Sequence, residues 1–454
     1  MKNNIYIKIM AVALLFLTAC NSLDDLDPSF RLDEDKAIIN AATAENVLAG
    51  SYIKLRDPLL TWGHSSIHSK MGITYGLPFW ETPGGFDRNE PVTDDTFIEG
   101  YYGGLYGLIQ EANLFIENVS KVEASELGGD DAKKNFIAEA RFLRALAHFN
   151  LLRAFGYHFD VTSEYGITLR KEAARGPEPL PRSSVADAYA FINEDLDFAI
   201  ANCTAMVGFR ANKYAAMGLK AKAKLYEGEF AEAASIAKQL IDAPGSRSLT
   251  PNYSDNFSSF NTISKTATKA AESNELLFGP YRSENESVGL IVRSNGSNYE
   301  TIALGLGDPR AGTKKGFAFL SFSPRVTDLN TLIFLRLAEV YLIHAEASAR
   351  ATNSVDAMGL ASLNRVRDRV GLAPVTPANP AAFLEAIRVE KLLELYSEQG
   401  EEFFDLVRYQ KLGNLTASSV KATMTNQDFF VLPIPDSETK LIKYTGIVKQ
   451  NPGY

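Results

Sequence analysis

Apolar residues recur every three or four positions through most of this chain, the spacing that puts side chains on one face of an α-helix. The cleanest stripe lies in FIAEARFLRALAHFNLLRAFG, where Phe136, Ala140, Leu143, Ala147, Leu151 and Ala154 step along one face until Gly156 ends it. Earlier helices are predicted at Glu45 to Leu55 and Phe97 to Val119. After prolines at Pro177 to Pro181, Ser184 with Asp187 three residues on supplies a helix start like a capping box, and Val185, Tyr189, Ile192, Leu196 and Ala199 carry the next stripe. Three more helical patterns run from Leu332 to Arg350, Val355 to Arg369 and Ala381 to Gln399.

The segment YAAMGLKAKAKLYEGEFAEAASIAKQLI resembles a tetratricopeptide unit: small alanines let two helices approach, Gly228 turns the chain, and Phe230 with Ala233 and Ala234 opens the return helix. One such unit cannot bury its own apolar face, so the other helices must stack on it. The expected fold is mostly α, a tetratricopeptide-like helical-repeat scaffold with long irregular loops near 57–96 and 244–325. In the second loop the helical spacing gives way to Ser, Asn, Gly and isolated aromatics such as Tyr253 and Tyr299, which argue against pure disorder.

The amino terminus breaks the pattern. Lys2 and Lys8 precede an apolar run from Ile9 to Leu17, too short to span a bilayer, and small Thr18 and Ala19 lead to Cys20. This reads as a signal peptide, residues 1–19, followed by a lipidated acidic leader, residues 20–35, with LTAC as a bacterial lipobox and Cys20 as the acylated residue. Two or more acyl chains on that cysteine would make a stable membrane tether. Residues 36–454 then form a single helical domain. Net charge is −9, becoming −11 once Lys2 and Lys8 leave with the signal, and no basic stripe follows, which speaks against nucleic acid. After lipidation of Cys20 the other cysteine, Cys203, can form neither an internal disulfide nor a zinc-cysteine cluster, and is expected as buried packing.

Catalytic motifs are sparse. His64 and His68 have i, i+4 spacing, but HSSIH lacks the glutamate a zincin uses as base, and the surrounding Gly and Pro disfavour a helix. GLGDPR lacks the third glycine of a dinucleotide fingerprint, no P-loop pattern occurs, and GHSSI ends in isoleucine where a nucleophile elbow needs glycine. No metal and no cofactor is predicted. Glu339 with Glu346, and Glu390 with Glu394, could be imagined as a hydrolase pair, but in helical patterns salt bridging or a solvated face is the commoner role.

Four segments together resemble the SusD/RagB family of outer-membrane nutrient-binding lipoproteins: ARFLRALAHFNLLRAFG, FLRLAEVYLIHAEA, LNRVRDRVGL, and the closing LPIPDSETKLI through QNPGY. The lipobox followed by LDDLDP agrees. Departures from the family pattern fall in VEKLLELYSEQGEEFFDLVRY, where Lys391 stands for an arginine after Glu390 and Glu402 stands where a second arginine is common, while Asp405, Leu406 and Arg408 persist. These are expected to be helix-packing and surface charge positions. A second departure, GYHFDVTSEYGITL after Phe155, replaces the usual turn. The resemblance implies a non-enzymatic lipoprotein facing the cell exterior, seated as a lid on a SusC-like TonB-dependent outer-membrane barrel and capturing oligosaccharides or, in some relatives, peptides. A surface glycoside hydrolase and a helical scaffold that binds only protein are the rival readings.

A glycan site needs flat aromatic faces together with planar polar groups. Two loops carry that mixture. In YGLPFWETPGGFDRN, Tyr75, Phe79, Trp80 and Phe86 offer platforms, and Glu81, Asp87, Arg88 and Asn89 offer hydrogen bonds. In the second loop Tyr281, Arg282 and Tyr299 form a smaller set.

Overall fold

The computed structural model describes residues 37–55, 57, 60, 67–72, 85–176, 179–205, 210–245, 247–253, 256, 275–279, 298–312, 333–396, 398–440 and 446–454. Cys20 and the two amino-terminal segments lie outside the described residues, as do His64, Trp62, Tyr75, Phe79, Trp80, Glu81, Tyr281 and Arg282.

Local chemistry sets the helix ends. In α1 (Ala41–Lys54), Asn40 accepts from the backbone of Thr43 and Thr43 answers with its side chain, so two amides that the helix itself leaves unpaired are satisfied. The five-residue α2 (His68–Gly72) follows. Asp95 caps α3 (Thr96–Lys121) by accepting from the amides of Phe97 and Ile98 at 2.9 and 3.0 Å. α4 (Asp130–Phe155) has no side-chain cap but places Asp130 and Asp131 in its first turn, where the helix dipole favours negative charge. Ser184 caps α5 (Val185–Asn202) through the Asp187 amide, as its sequence indicates. Gly228, left-handed at φ 92°, ends α6 (Lys213–Glu227), and α7 (Phe230–Asp242) begins two residues later.

A short antiparallel pair, β1 (Leu276–Phe278) with β2 (Leu335–Arg336), interrupts the helices. α8 (Asn298–Gly305) precedes β2, and α9 (Leu337–Thr352), α10 (Ala357–Arg369), α11 (Pro380–Leu395), α12 (Glu401–Lys411) and α13 (Asp436–Thr439) follow it. Within the pattern predicted from Leu332, Leu335 and Arg336 are thus strand and not helix, because they pair with a strand some sixty positions away.

The fold is mostly α. α4 is central: from Ala138 to Phe155 only Arg141 escapes burial, with α3 against one side and α5 against another. Neighbours then continue in order, α5 on α6, α6 on α7, α7 on α9, and α9 on α10 and α11, so each helix buries the face its predecessor leaves open. Small residues set the spacing. A Cβ on Gly218 of α6 would lie 2.5 Å from Leu335 Cδ2, so that glycine permits the close approach of α6 to β2. Cys203 is buried packing, its thiol pushed up to about 12 by desolvation and by the nearby Glu139 carboxylate. Among the described residues no helix is long and apolar enough to cross a membrane.

The carboxyl terminus is clamped to the end of α4. Asn451 Nδ2 donates to the carbonyls of Phe155 and Leu432 at 2.9 and 2.8 Å. Arg182 donates to the carbonyls of Phe155, Tyr165, Gly166 and Lys449 and to the Asn451 side chain. The GYHFDVTSEYGITL segment is shaped by the same arginine, with the Tyr157 amide donating to the Tyr165 carbonyl at 2.8 Å.

One expectation is corrected here. Lys391, Glu402, Asp405 and Arg408 are not surface charges; all four are buried, on α11 and α12. Lys391 Nζ donates to Asp405 at 2.6 Å and to Glu346 at 3.3 Å, and Arg408 pairs with both Glu346 and Asp405. Glu346 also holds Arg350 at 2.8 Å. For Lys391, Asp405 and Arg408 the reason is mutual neutralisation with Glu346: charges can be buried where opposite charges and hydrogen bonds replace lost water.

Candidate ligand site

Both proposed loops have their described roots at the corner joining α11 to α12. That corner turns tightly, with Gln399 at φ 56° and Gly400 at φ 70°, and a Cβ on Gly400 would fall 2.3 Å from His68 Cβ of α2. α2 packs directly on α12: a Cβ on Gly72 would lie 2.6 Å from the Phe403 amide nitrogen, and the His68 ring sits 4.5 Å from that of Phe404. The Gly and Pro around His68 therefore permit one short helix. His68 is packed among aromatic rings, and among the described residues no group of His, Cys, Asp or Glu could hold a metal ion.

The first loop re-enters at Gly85, whose φ of 64° and Cβ direction, 2.6 Å from the Glu90 carbonyl oxygen, both demand glycine. A 3₁₀ turn, Phe86–Arg88, follows and ends at Asn89 with φ 57°. Phe86 is fully buried. Asn89 is buried too: its Nδ2 donates to the Met71 carbonyl at 2.9 Å and its Oδ1 accepts from Thr423 Oγ1 at 2.6 Å. Asn89 is thus an anchor of the turn, while Arg88 projects outward and pairs with Glu90 at 3.1 Å. Below them Lys421 donates to the Lys70 carbonyl. Burial lowers the Lys421 ammonium to about 7 and that of Lys70 to about 8, with the Asp87 carboxylate opposing the effect on both.

The second loop is rooted by α8. Tyr299 is buried, stacked on Tyr396 at 4.0 Å and 19°, with its hydroxyl donating to the Arg310 carbonyl at 3.3 Å. Its ring is a foundation for the loop and has no free face for a ligand. Leu392 joins the two roots: it packs in the same apolar cluster as Tyr299 and Tyr396, and also lines a crevice with Gly72 and Val420.

A second ionic cluster holds this corner to the rest. Arg310 reaches Asp308, Glu390 and Glu394, each at 2.7 Å. Arg336 reaches Glu394 at 2.5 Å, Glu398 at 2.7 Å and Glu275 at 3.0 Å, while Arg369 pairs with Glu275 and Glu394. Burial alone would raise the Glu394 carboxyl, but Arg336, Arg369 and Arg310 outweigh it and hold it well below the carboxylate range. Tyr253 lies beside all three guanidinium groups and donates to the Glu394 carbonyl at 3.1 Å. Glu390 and Glu394 are therefore counterions. Glu339 is likewise held by Lys222 at 2.7 Å.

A profile described as the SusD family matches residues 321–454, and a second, described as starch-binding and associating with outer membrane, matches residues 62–225. The two matches contain the long helices α3 to α5 and α9 to α12. The chain belongs to the SusD/RagB family. A SusD-like protein of Bacteroides ovatus is 27% identical, the match covering 61% of this chain and 60% of that relative's length. A SusD superfamily protein of Bacteroides vulgatus has the same fold at a TM-score of 0.73 and 23% identity, covering 92% of this chain and all of the other. A SusD-like protein described as laminarin-binding superposes with a TM-score of 0.69 at 22% identity, over 92% of this chain and 100% of its own. One SusD superfamily structure from Bacteroides thetaiotaomicron gives 0.72 at 20% identity over 91% of this chain and 100% of the other. This SusD/RagB chain thus carries the fold of relatives with which it shares only about a fifth of its residues.

Proposed function

We propose that the chain is a glycan-capture lipoprotein of the outer membrane, anchored through Cys20 and delivering oligosaccharides to a TonB-dependent barrel without bond chemistry of its own. The observation that carries this reading is that described residues flanking the two aromatic-rich segments, Gly72 of the first and Tyr299 of the second, both pack against residues of α11 and α12. Family membership supplies the ligand class, and a laminarin-binding relative shares the fold. Trp80, Tyr75, Phe79, Tyr281 and Arg282 are the loop residues assigned to the ligand, with Asp87 and Arg88 at the loop base and Asn89 and Tyr299 fixing the two ends. Glu390 and Glu394, the pair that could be imagined for a hydrolase, are engaged by arginines, which favours binding over catalysis.

The test is a titration of the chain lacking residues 1–20 with a panel of oligosaccharides, read by tryptophan fluorescence. Only Trp62 and Trp80 contribute signal. A saturable change with one glycan class, weakened about tenfold or more in Trp80→Ala, is expected, since losing an aromatic platform costs on the order of 1.4 kcal/mol or more. Silence across the panel from a folded protein would instead favour a scaffold that binds only protein.

A further inference from the structure

Lys421 is enclosed without a carboxylate. It is 2% exposed, its Nζ donates to the Lys70 carbonyl of α2, and among the described residues no acid lies within ion-pair reach of it. A buried charge is normally paired with an opposite one, so this lysine stands apart from the ionic clusters elsewhere in the chain. The same short segment grips the base of the first loop. Two residues on, Thr423 Oγ1 donates to Asn89 Oδ1 at 2.6 Å and reaches the Asp87 carbonyl at 3.5 Å. Whatever moves Lys421 therefore acts on the turn that carries Asp87 and Arg88.

Asp87 is the complementary group. Its Oδ1 is enclosed with no hydrogen-bond partner among the described residues, and its negative field reaches Lys421 and Lys70 alike, favouring a proton on each. The other charged groups around Lys421 are committed. Arg88 on the turn pairs with Glu90; across the crevice lined by Val420, Arg388 pairs with Glu385, Asp405 pairs with Lys391 and Arg408, and Glu402 has contacts of its own. His68, on the same helix as Lys70, packs among aromatic rings. Burial outweighs Asp87 and lowers the Lys421 ammonium to about 7, so its charge changes near neutral pH, whereas Lys70 changes at about 8.

We propose that Lys421 is a proton switch beneath the first loop: as an amine it stays on the Lys70 carbonyl and leaves Asp87 to the glycan, and as an ammonium it turns to Asp87, so that glycan capture weakens in mild acid. This switch rests on the glycan reading above and adds its regulation. The coupling is competition for one carboxylate, which cannot serve sugar hydroxyls and a buried ammonium equally, and a ligand shifts such an equilibrium by its preference for one of the two states. If the amine form alone is competent, about ten elevenths of the molecules can bind at pH 8 and about one eleventh at pH 6, so apparent affinity differs about tenfold.

The purified full chain is titrated at pH 6 and pH 8 with a panel of neutral oligosaccharides, read by tryptophan fluorescence. The glycan class that saturates at pH 8 is expected to bind about tenfold more weakly at pH 6, and the difference is expected to vanish in Lys421→Met. Calorimetry at pH 7 in two buffers of different ionisation enthalpy gives a second readout: each glycan bound should release about half a proton from the unaltered chain and none from Lys421→Met. The proton count on the unaltered chain decides the matter even if the methionine variant folds poorly. Equal affinity at the two pH values with no proton released overturns the switch. So does a tenfold difference that survives in folded Lys421→Met, which would assign it to another group such as His68. Failure of the glycan reading looks different, with no oligosaccharide saturating at either pH, and the switch falls with it.

Discussion

Glu394 concentrates the chemistry of the chain at a single residue. It is fully buried, yet it holds Arg310, Arg336 and Arg369, cations from three separate segments. Replacing its carboxylate by an amide leaves three buried guanidinium groups short of one counter-charge, which is far more costly than losing an exposed pair. Glu394→Gln is therefore expected to lower unfolding free energy by roughly 3–5 kcal/mol, measured by urea denaturation. A loss below about 1 kcal/mol would mean that water already solvates this cluster. The sequence pattern shows Glu390 and Glu394 four apart on a helix, which is also how a solvated face looks. Their burial was illegible there because their partners, Arg310, Arg336, Arg367 and Arg369, come from other elements and only folding brings them together. Asn89 and Tyr299 were legible as polar and aromatic loop residues, but their commitment to Met71, Thr423 and Tyr396 was not.

At the scale of elements, the long helices follow from their apolar spacing with ends shifted by a few residues, whereas α2 and the β1–β2 pair exist only through contacts with remote parts of the chain. α2 is five residues long, too short to be stable alone, and persists because His68 and Gly72 fit against α12. The Gln399–Gly400 corner decides that fit. In Gly400→Ala the new Cβ would face the left-handed strain of φ 70° and a collision with His68, so α2 and the root of the first loop must shift. A destabilisation of about 2 kcal/mol or more is expected by thermal denaturation, together with weaker glycan binding. A variant with unchanged melting temperature would show that α2 moves freely and that the corner does not position the loop.

For the whole molecule, the buried titratable groups set a pH profile. The Lys421 and Lys70 ammonium groups are lowered by burial to about 7 and about 8, against about 10.4 in an unfolded chain. Between those values the unfolded state binds more protons, so stability must rise with pH, by up to about 1.4 kcal/mol per pH unit for each group fully deprotonated only in the folded state. Burial lowers His148 to about 4 and His158 further, which extends the same upward slope below pH 6.5, opposed there by Glu139 and Glu339, whose carboxyls burial raises. Above about pH 10 the buried tyrosines, among them Tyr226 and Tyr253 with raised hydroxyls, reverse the trend, because the unfolded chain then ionises first. The chain is accordingly expected to be more stable at pH 9 than at pH 7 by roughly 3–4 kcal/mol, read from urea midpoints. Lys421→Met should raise stability at pH 7 and flatten the rise, since an apolar side chain fills the space without a charge to desolvate. A profile that stays flat from pH 7 to 9 in the unaltered chain would mean that Lys421 keeps its proton, with Asp87 as an effective counterion beneath the first loop.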